Sequence, residues 1–151
     1  MSNERSKEPN QAMDEIHEGG CLCGSVRYRA IGAPIVATAC HCKFCQRRTG
    51  SAFSEPVLFK MEHVQVSGGP LVTYEHLSDE SNRWLRMEFC PRCGTTVMWT
   101  VERRPGVRGI AGGTFDDPTW FKIQRHIWTR SAQPWVSIPT DTECFEKGSP
   151  A

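Results

Sequence analysis

Gly20-Cys21-Leu22-Cys23-Gly24 and, much later, Phe89-Cys90-Pro91-Arg92-Cys93-Gly94 are the two stretches whose reading decides the fold. Residues two apart on a strand point to one face, so Cys21 and Cys23 offer two sulfurs on the same side of the chain. The C-x2-C spacing of Cys90 and Cys93 suits a tight turn that aims both thiolates at one tetrahedral ion, and Gly94 suits the strained backbone position that follows. Each pair is half a site. Joined, the pairs make a closed four-cysteine zinc that ties the first strand to a hairpin roughly 70 residues later, a large loop-closure constraint on the unfolded chain.

Between them lies Cys40-His41-Cys42-Lys43-Phe44-Cys45, with three cysteines and no fourth beside them. Four protein ligands make a closed zinc site, whereas three leave an exchangeable position of the catalytic type. Seven of the eight cysteines thus predict two zinc ions per chain. The fourth position of the second site is open to an exchangeable ligand, to His41 or to Cys144. His41, between two ligands of a C-x-C, is expected to point away from them. Cys144 stands alone near the end and reads as an ordinary small residue. Thiolates also serve iron and iron–sulfur clusters, although C-x-C pairs crowd a cluster more than a single ion.

Working outward, 151 residues with 38% hydrophobic and 23% charged side chains fit one soluble domain with a real core. A formal net charge of +1 lacks the basic excess that phosphate-backbone binding requires, so nucleic acid is not an expected partner. No run approaches the roughly 18 apolar residues of a membrane span, and the polar N-terminus is unlike a signal peptide. A cytoplasmic location is the expectation, and a reducing compartment argues against a disulfide framework.

Residues 1–18 lack apolar periodicity and are expected to form a flexible tail, followed by a single domain over 19–151. Alternating or β-branched segments predict strands at Ser25–Ala30, Ala52–Lys60, His63–Val66, Leu71–His76, Arg83–Phe89, Thr95–Val101, Arg108–Ala111 and Lys122–Trp128. Gly68-Gly69, Pro105-Gly106 and Asp116-Asp117-Pro118 supply turns between them. The one helix expected is short, around Phe44–Thr49, stopped by a left-handed Gly50. A mostly β fold follows. Trp84, Trp99, Trp120, Trp128 and Trp135 are expected to serve as core or interface packing.

Gly20 to Tyr28, Cys40-His41-Cys42-Lys43-Phe44-Cys45-Gln46-Arg47-Arg48-Thr49-Gly50 and Phe89 to Thr95 together resemble the glutathione-dependent formaldehyde-activating (GFA) enzyme family, the centromere protein V/GFA-type zinc domain. The likeness continues through Gly112-Gly113-Thr114-Phe115-Asp116-Asp117-Pro118, His126-Ile127-Trp128 and Pro134-Trp135. It implies a β-tent fold of small antiparallel sheets meeting at a structural zinc on Cys21, Cys23, Cys90 and Cys93, with a second, open zinc on Cys40, Cys42 and Cys45. The implied activity is that of a carbon–sulfur lyase, joining glutathione or a related thiol to formaldehyde or another small electrophile. On that reading Lys43, Arg47 and Arg48 are candidate contacts for the carboxylates of glutathione. His126 is a candidate proton shuttle, against the plainer reading of a packed histidine. The alternative is a zinc-stapled protein-interaction module without catalysis. Cys144 falls where the family does not require a cysteine.

Overall fold

The computed structural model describes residues 15–150. Among these, eleven strands surround one short helix: β1 (Ile16–Gly20), β2 (Val26–Ile31), β3 (Val36–Cys40), α1 (Lys43–Thr49), β4 (Pro56–Lys60), β5 (Val64–Gly68), β6 (Val72–Leu77), β7 (Trp84–Phe89), β8 (Thr96–Val101), β9 (Val107–Ala111), β10 (Arg125–Ile127) and β11 (Glu143–Cys144). They form a three-stranded sheet in the order β1-β2-β5 and a larger one in the order β11-β10-β3-β4-β9-β8-β7-β6. Pairing is antiparallel except around β10, which runs parallel to both β3 and β11.

The alternation Val26, Tyr28, Ala30 on β2 turns one face of the small sheet inward. It meets Val57 and Phe59 of β4, Val97 and Met98 of β8, and Ile110 of β9 in one buried cluster. Cys21 and Cys90 belong to that same cluster, so the four-cysteine group closes the end of the core where the sheets meet. At the edge of the core Tyr28 shares a 2.8 Å hydrogen bond with Thr114, and its ring meets Phe115 edge-on.

The mostly β expectation holds, and the strand segments read from the pattern are present with shifted ends. Ala52–Lys60 shortens to β4 and Lys122–Trp128 to β10. Three strands lay outside the pattern. β1 begins at Ile16, so residues 16–18, read as tail, are sheet; Ile16 to Gly20 pair with Ile31 to Arg27, and Glu18 meets Arg29 at 2.8 Å. The rest of the expected tail, 1–14, lies outside the described residues. β3, Val-Ala-Thr-Ala-Cys, is buried at four consecutive positions and shows no alternation, because both of its faces are covered. β11 is two residues long and exists through its pairing with β10. The helix matches its expectation: Gly50 caps it in the left-handed region at φ 66° and donates its N–H to the Gln46 carbonyl.

Candidate functional site

The turn after β1 carries Cys21 and Cys23, and the turn between β7 and β8 carries Cys90 and Cys93. The two turns repeat one device. In each, the glycine after the second cysteine donates its N–H back to the carbonyl of the first, Gly24 to Cys21 at 3.1 Å and Gly94 to Cys90 at 2.7 Å. Both glycines sit in the left-handed region, at φ 79° and 77°, where a side chain is strained.

All four sulfurs lie within 4.8 Å of one another. Cys21 to Cys23 is 3.6 Å and Cys23 to Cys90 is 3.8 Å. Tetrahedral thiolates at about 2.3 Å from a zinc stand about 3.8 Å apart, whereas a disulfide requires about 2.05 Å. The donor set therefore fits a tetrahedral ion.

Polar neighbours face these sulfurs. The Ser25 hydroxyl is 3.1 Å from Cys23, 3.3 Å from Cys90 and 3.7 Å from Cys21. The Val26 N–H donates to the Cys21 sulfur at 3.3 Å. Thr95 accepts the Leu22 N–H at 3.1 Å and lies 3.2 Å from the Cys93 sulfur, lacing one turn to the other. The hydroxyl and N–H of Thr95 hold the Cys93 thiol down to about 5. Donors of this kind disperse the charge of a thiolate cluster. Sequence reasoning missed Ser25 and Thr95, although both occupy the same place, directly after the glycine of each cysteine turn.

Cys40 ends β3, Cys42 is the N-cap of α1 and Cys45 lies inside it. The Cys42 sulfur accepts the Cys45 N–H at 3.3 Å. Their three sulfurs also lie within 4.8 Å of one another. Hydrogen bonds from the Cys40 and Cys42 thiols, aided by the charge of Arg48, push the Cys45 thiol far down, while Cys40 is pushed well up by its contacts with Cys42 and Cys45. Three thiols this close oppose one another's ionisation unless a cation joins them, which is the condition of a metal-ligand set. Buried Ser54, whose backbone bridges Cys40 in both directions, also turns its hydroxyl to the Cys45 thiol and helps hold it down.

His41 turns away from the sulfurs, as its place in the C-x-C requires, and is fully buried. Its Nε2 shares a 2.9 Å hydrogen bond with Nδ1 of His126, itself buried on β10. Burial pushes both imidazoles toward the neutral form that a single N–H···N bond needs. His126 is thus a packed, bonded histidine in this fold. Cys144 is exposed on β11 and lies in neither sulfur cluster.

The three expected cationic contacts divide. Lys43 and Arg47 lie four apart on the open face of α1 and line a groove of about 700 Å³ with Gln46, Ser51, Gln133 and Trp135. Arg48 faces the other way, its guanidinium 4.7 Å from the Trp99 ring centroid. Of the two packing roles expected for Trp135, core is excluded, because it is 75% exposed and lines the groove. A second hollow of about 390 Å³, lined by His17, Glu18, Arg29, Asp116, Asp117 and Trp120, lies away from both clusters. Its charges are engaged: Arg27 grips Asp116 with two hydrogen bonds and Arg29 pairs with Glu18.

No helix among the described residues is long and apolar enough to cross a membrane. The family model described as glutathione-dependent formaldehyde-activating enzyme matches residues 16–131, a span that holds both cysteine clusters. Among solved structures, a crystal structure of a Rhodobacter sphaeroides protein is similar, with a TM-score of 0.52 at 21% identity, over 66% of this chain and 87% of that one. At that identity the likeness is one of fold.

Proposed function

The chain belongs to the glutathione-dependent formaldehyde-activating enzyme family, and from that premise we propose that it holds two zinc ions and adds the sulfur of glutathione to formaldehyde or a similar small electrophile. Cys21, Cys23, Cys90 and Cys93 would hold the structural ion, and Cys40, Cys42 and Cys45 the one at the reaction site. The observation that carries the reading is the three-sulfur cluster without a fourth protein ligand among the described residues, with Lys43 and Gln46, the chain neighbours of Cys42 and Cys45, lining a groove together with Arg47. A zinc held by Cys40, Cys42 and Cys45 supplies ionisation of a bound thiol at neutral pH and a fixed place for its sulfur.

The reaction balances without a redox partner. The thiol loses its proton, a carbon–sulfur bond forms, the carbonyl π pair moves to oxygen, and that oxygen takes a proton to give the hydroxymethyl thioether. Lys43 and Arg47 attract and orient the anionic thiol, Arg47 with the fork geometry that matches a carboxylate. His126, bonded to His41 and buried, is not offered to the product, so the proton comes from water at the groove.

Calorimetric titration with glutathione and with its hydroxyl analogue tests this. Binding that needs the sulfur is expected, since an alcohol is a much poorer zinc ligand at neutral pH. Equal binding of the two, or no binding of either, overturns the reading and moves the weight to an interaction module.

A further inference from the structure

Trp135 presents an unusual combination of exposure and restraint. Its indole is 75% exposed, yet its N–H is tied at 2.7 Å to the Gln133 carbonyl oxygen. The Gln133 amide donates in turn to the Gln46 side-chain oxygen at 3.1 Å. The Gln46 amide nitrogen donates to the His41 carbonyl at 2.8 Å and to the Ser131 carbonyl at 2.9 Å. A chain of amides thus runs from the residue between Cys40 and Cys42 to a tryptophan standing in solvent. With its N–H engaged, the indole offers a ligand its flat face, and holding an aromatic ring in water has no packing reason in the folded chain.

The groove below that ring narrows the ligand further. At about 700 Å³ it is far larger than a small thiol needs and falls within the usual range for ligands of drug or tripeptide size. Its charged lining is two cations and no acid, and among the described residues neither Lys43 nor Arg47 takes part in a salt bridge of the kind that engages Arg27, Arg29 and Arg86. Ser51 and the remaining N–H of Gln133 add polar groups of the type that pair with peptide amides.

We propose that Trp135, positioned by the Gln46–Gln133 relay, is a specificity residue: the wall of a groove that accepts a peptide thiol carrying two carboxylates and discriminates against short thiols. This rests on the proposed thiol chemistry at the three-cysteine site. The ring lies against the extended amide backbone of the ligand while Lys43 and Arg47 take its carboxylates.

The test is calorimetry on the zinc-loaded protein with two probes, glutathione and mercaptoacetate, in wild type, Trp135→Ala and Gln133→Ala. Trp135→Ala should weaken glutathione by about 10-fold and mercaptoacetate by less than about 2-fold, with zinc content unchanged. Gln133→Ala should act in the same direction and less. Equal losses for both probes, or none for either, overturn the specificity role while leaving the thiol reading intact. If wild type binds neither probe, the thiol reading falls and takes this inference with it.

Discussion

The four-cysteine cluster draws its sulfurs from two turns, one on each sheet, whereas Cys40, Cys42 and Cys45 come from six consecutive residues. The first cluster joins two distant turns that are otherwise tied directly by a hydrogen bond, from the Leu22 N–H to Thr95, and by packing. The second is already held by protein. Cys40 bridges Ser54 through the backbone, the His41 N–H bonds the Ile127 carbonyl at 3.0 Å and its ring bonds His126, and Gln46 reaches the Ser131 carbonyl. The same ligand chemistry therefore does different work in the two places. A metal between distant segments contributes to folding, while a metal in a braced loop leaves the frame largely independent of it.

The sharpest way to break this comparison is to remove one sulfur from each cluster. Cys93→Ser should leave the domain unfolded or insoluble, because metal binding at structural sites is worth about 10 kcal/mol or more and net stability is only about 5–15 kcal/mol. Cys42→Ser should cost about 1–2 kcal/mol and lower the melting temperature by a few degrees, while thiol binding collapses. Melting temperature and zinc content measured together decide it. Equal unfolding of both variants would end the division of roles.

Ser25 sharpens the comparison without touching a ligand. Ser25→Ala removes the hydroxyl shared by three sulfurs, and should weaken retention of one metal of two by about 10–100-fold in competition with a chromophoric chelator. Loss of both metals in step, or of neither, would show that the hydroxyl does not serve the four-cysteine cluster.

A matched pair of glycines gives a smaller effect. Gly94→Ala and Gly50→Ala each force a side chain into the left-handed region with open space around it, at a cost of about 1–2 kcal/mol. Their losses in melting temperature should be alike, but only Gly94→Ala should hasten release of metal from the four-cysteine cluster. If Gly50→Ala does so too, the two clusters are coupled.

The least effect is expected at Arg27 and Asp116, which link β2 to the segment after β9 on the surface beside the same junction of sheets. Both side chains are substantially exposed, so Asp116→Asn should cost under about 1 kcal/mol, a loss that shrinks as salt is added. Destabilisation as large as that of Cys93→Ser would mean that charge, not metal, fastens the sheets.

Much of this architecture was legible because the chemistry that sets it is local. Cysteine spacing marked both clusters, Gly50 marked the end of α1, and alternating or β-branched character marked β2, β6, β7 and β8. What escaped depends on distant partners. β3 is made of small residues covered on both faces and so shows no period, while β1 and β11 are strands only because β2 and β10 accept them. At the site the cysteines were readable, but Lys43, Arg47 and Arg48 read alike although Arg48 stacks on Trp99, and Trp135 read as core or interface packing. Its role depends on Gln46 and Gln133, which lie nearly 90 positions apart and carry no motif.

The parallel pairing of β3 with β10 sets an order of events during synthesis. Both cysteine turns and the strands between them exist once the chain has emerged past β8, so the junction of the sheets can close on the nascent protein. The loop bearing Cys40, Cys42 and Cys45 must wait for β10 to bring His126 and the Ile127 carbonyl alongside it. Until then it is braced only by its own helix and by the Cys40–Ser54 bridge, and the late strand is what completes the site.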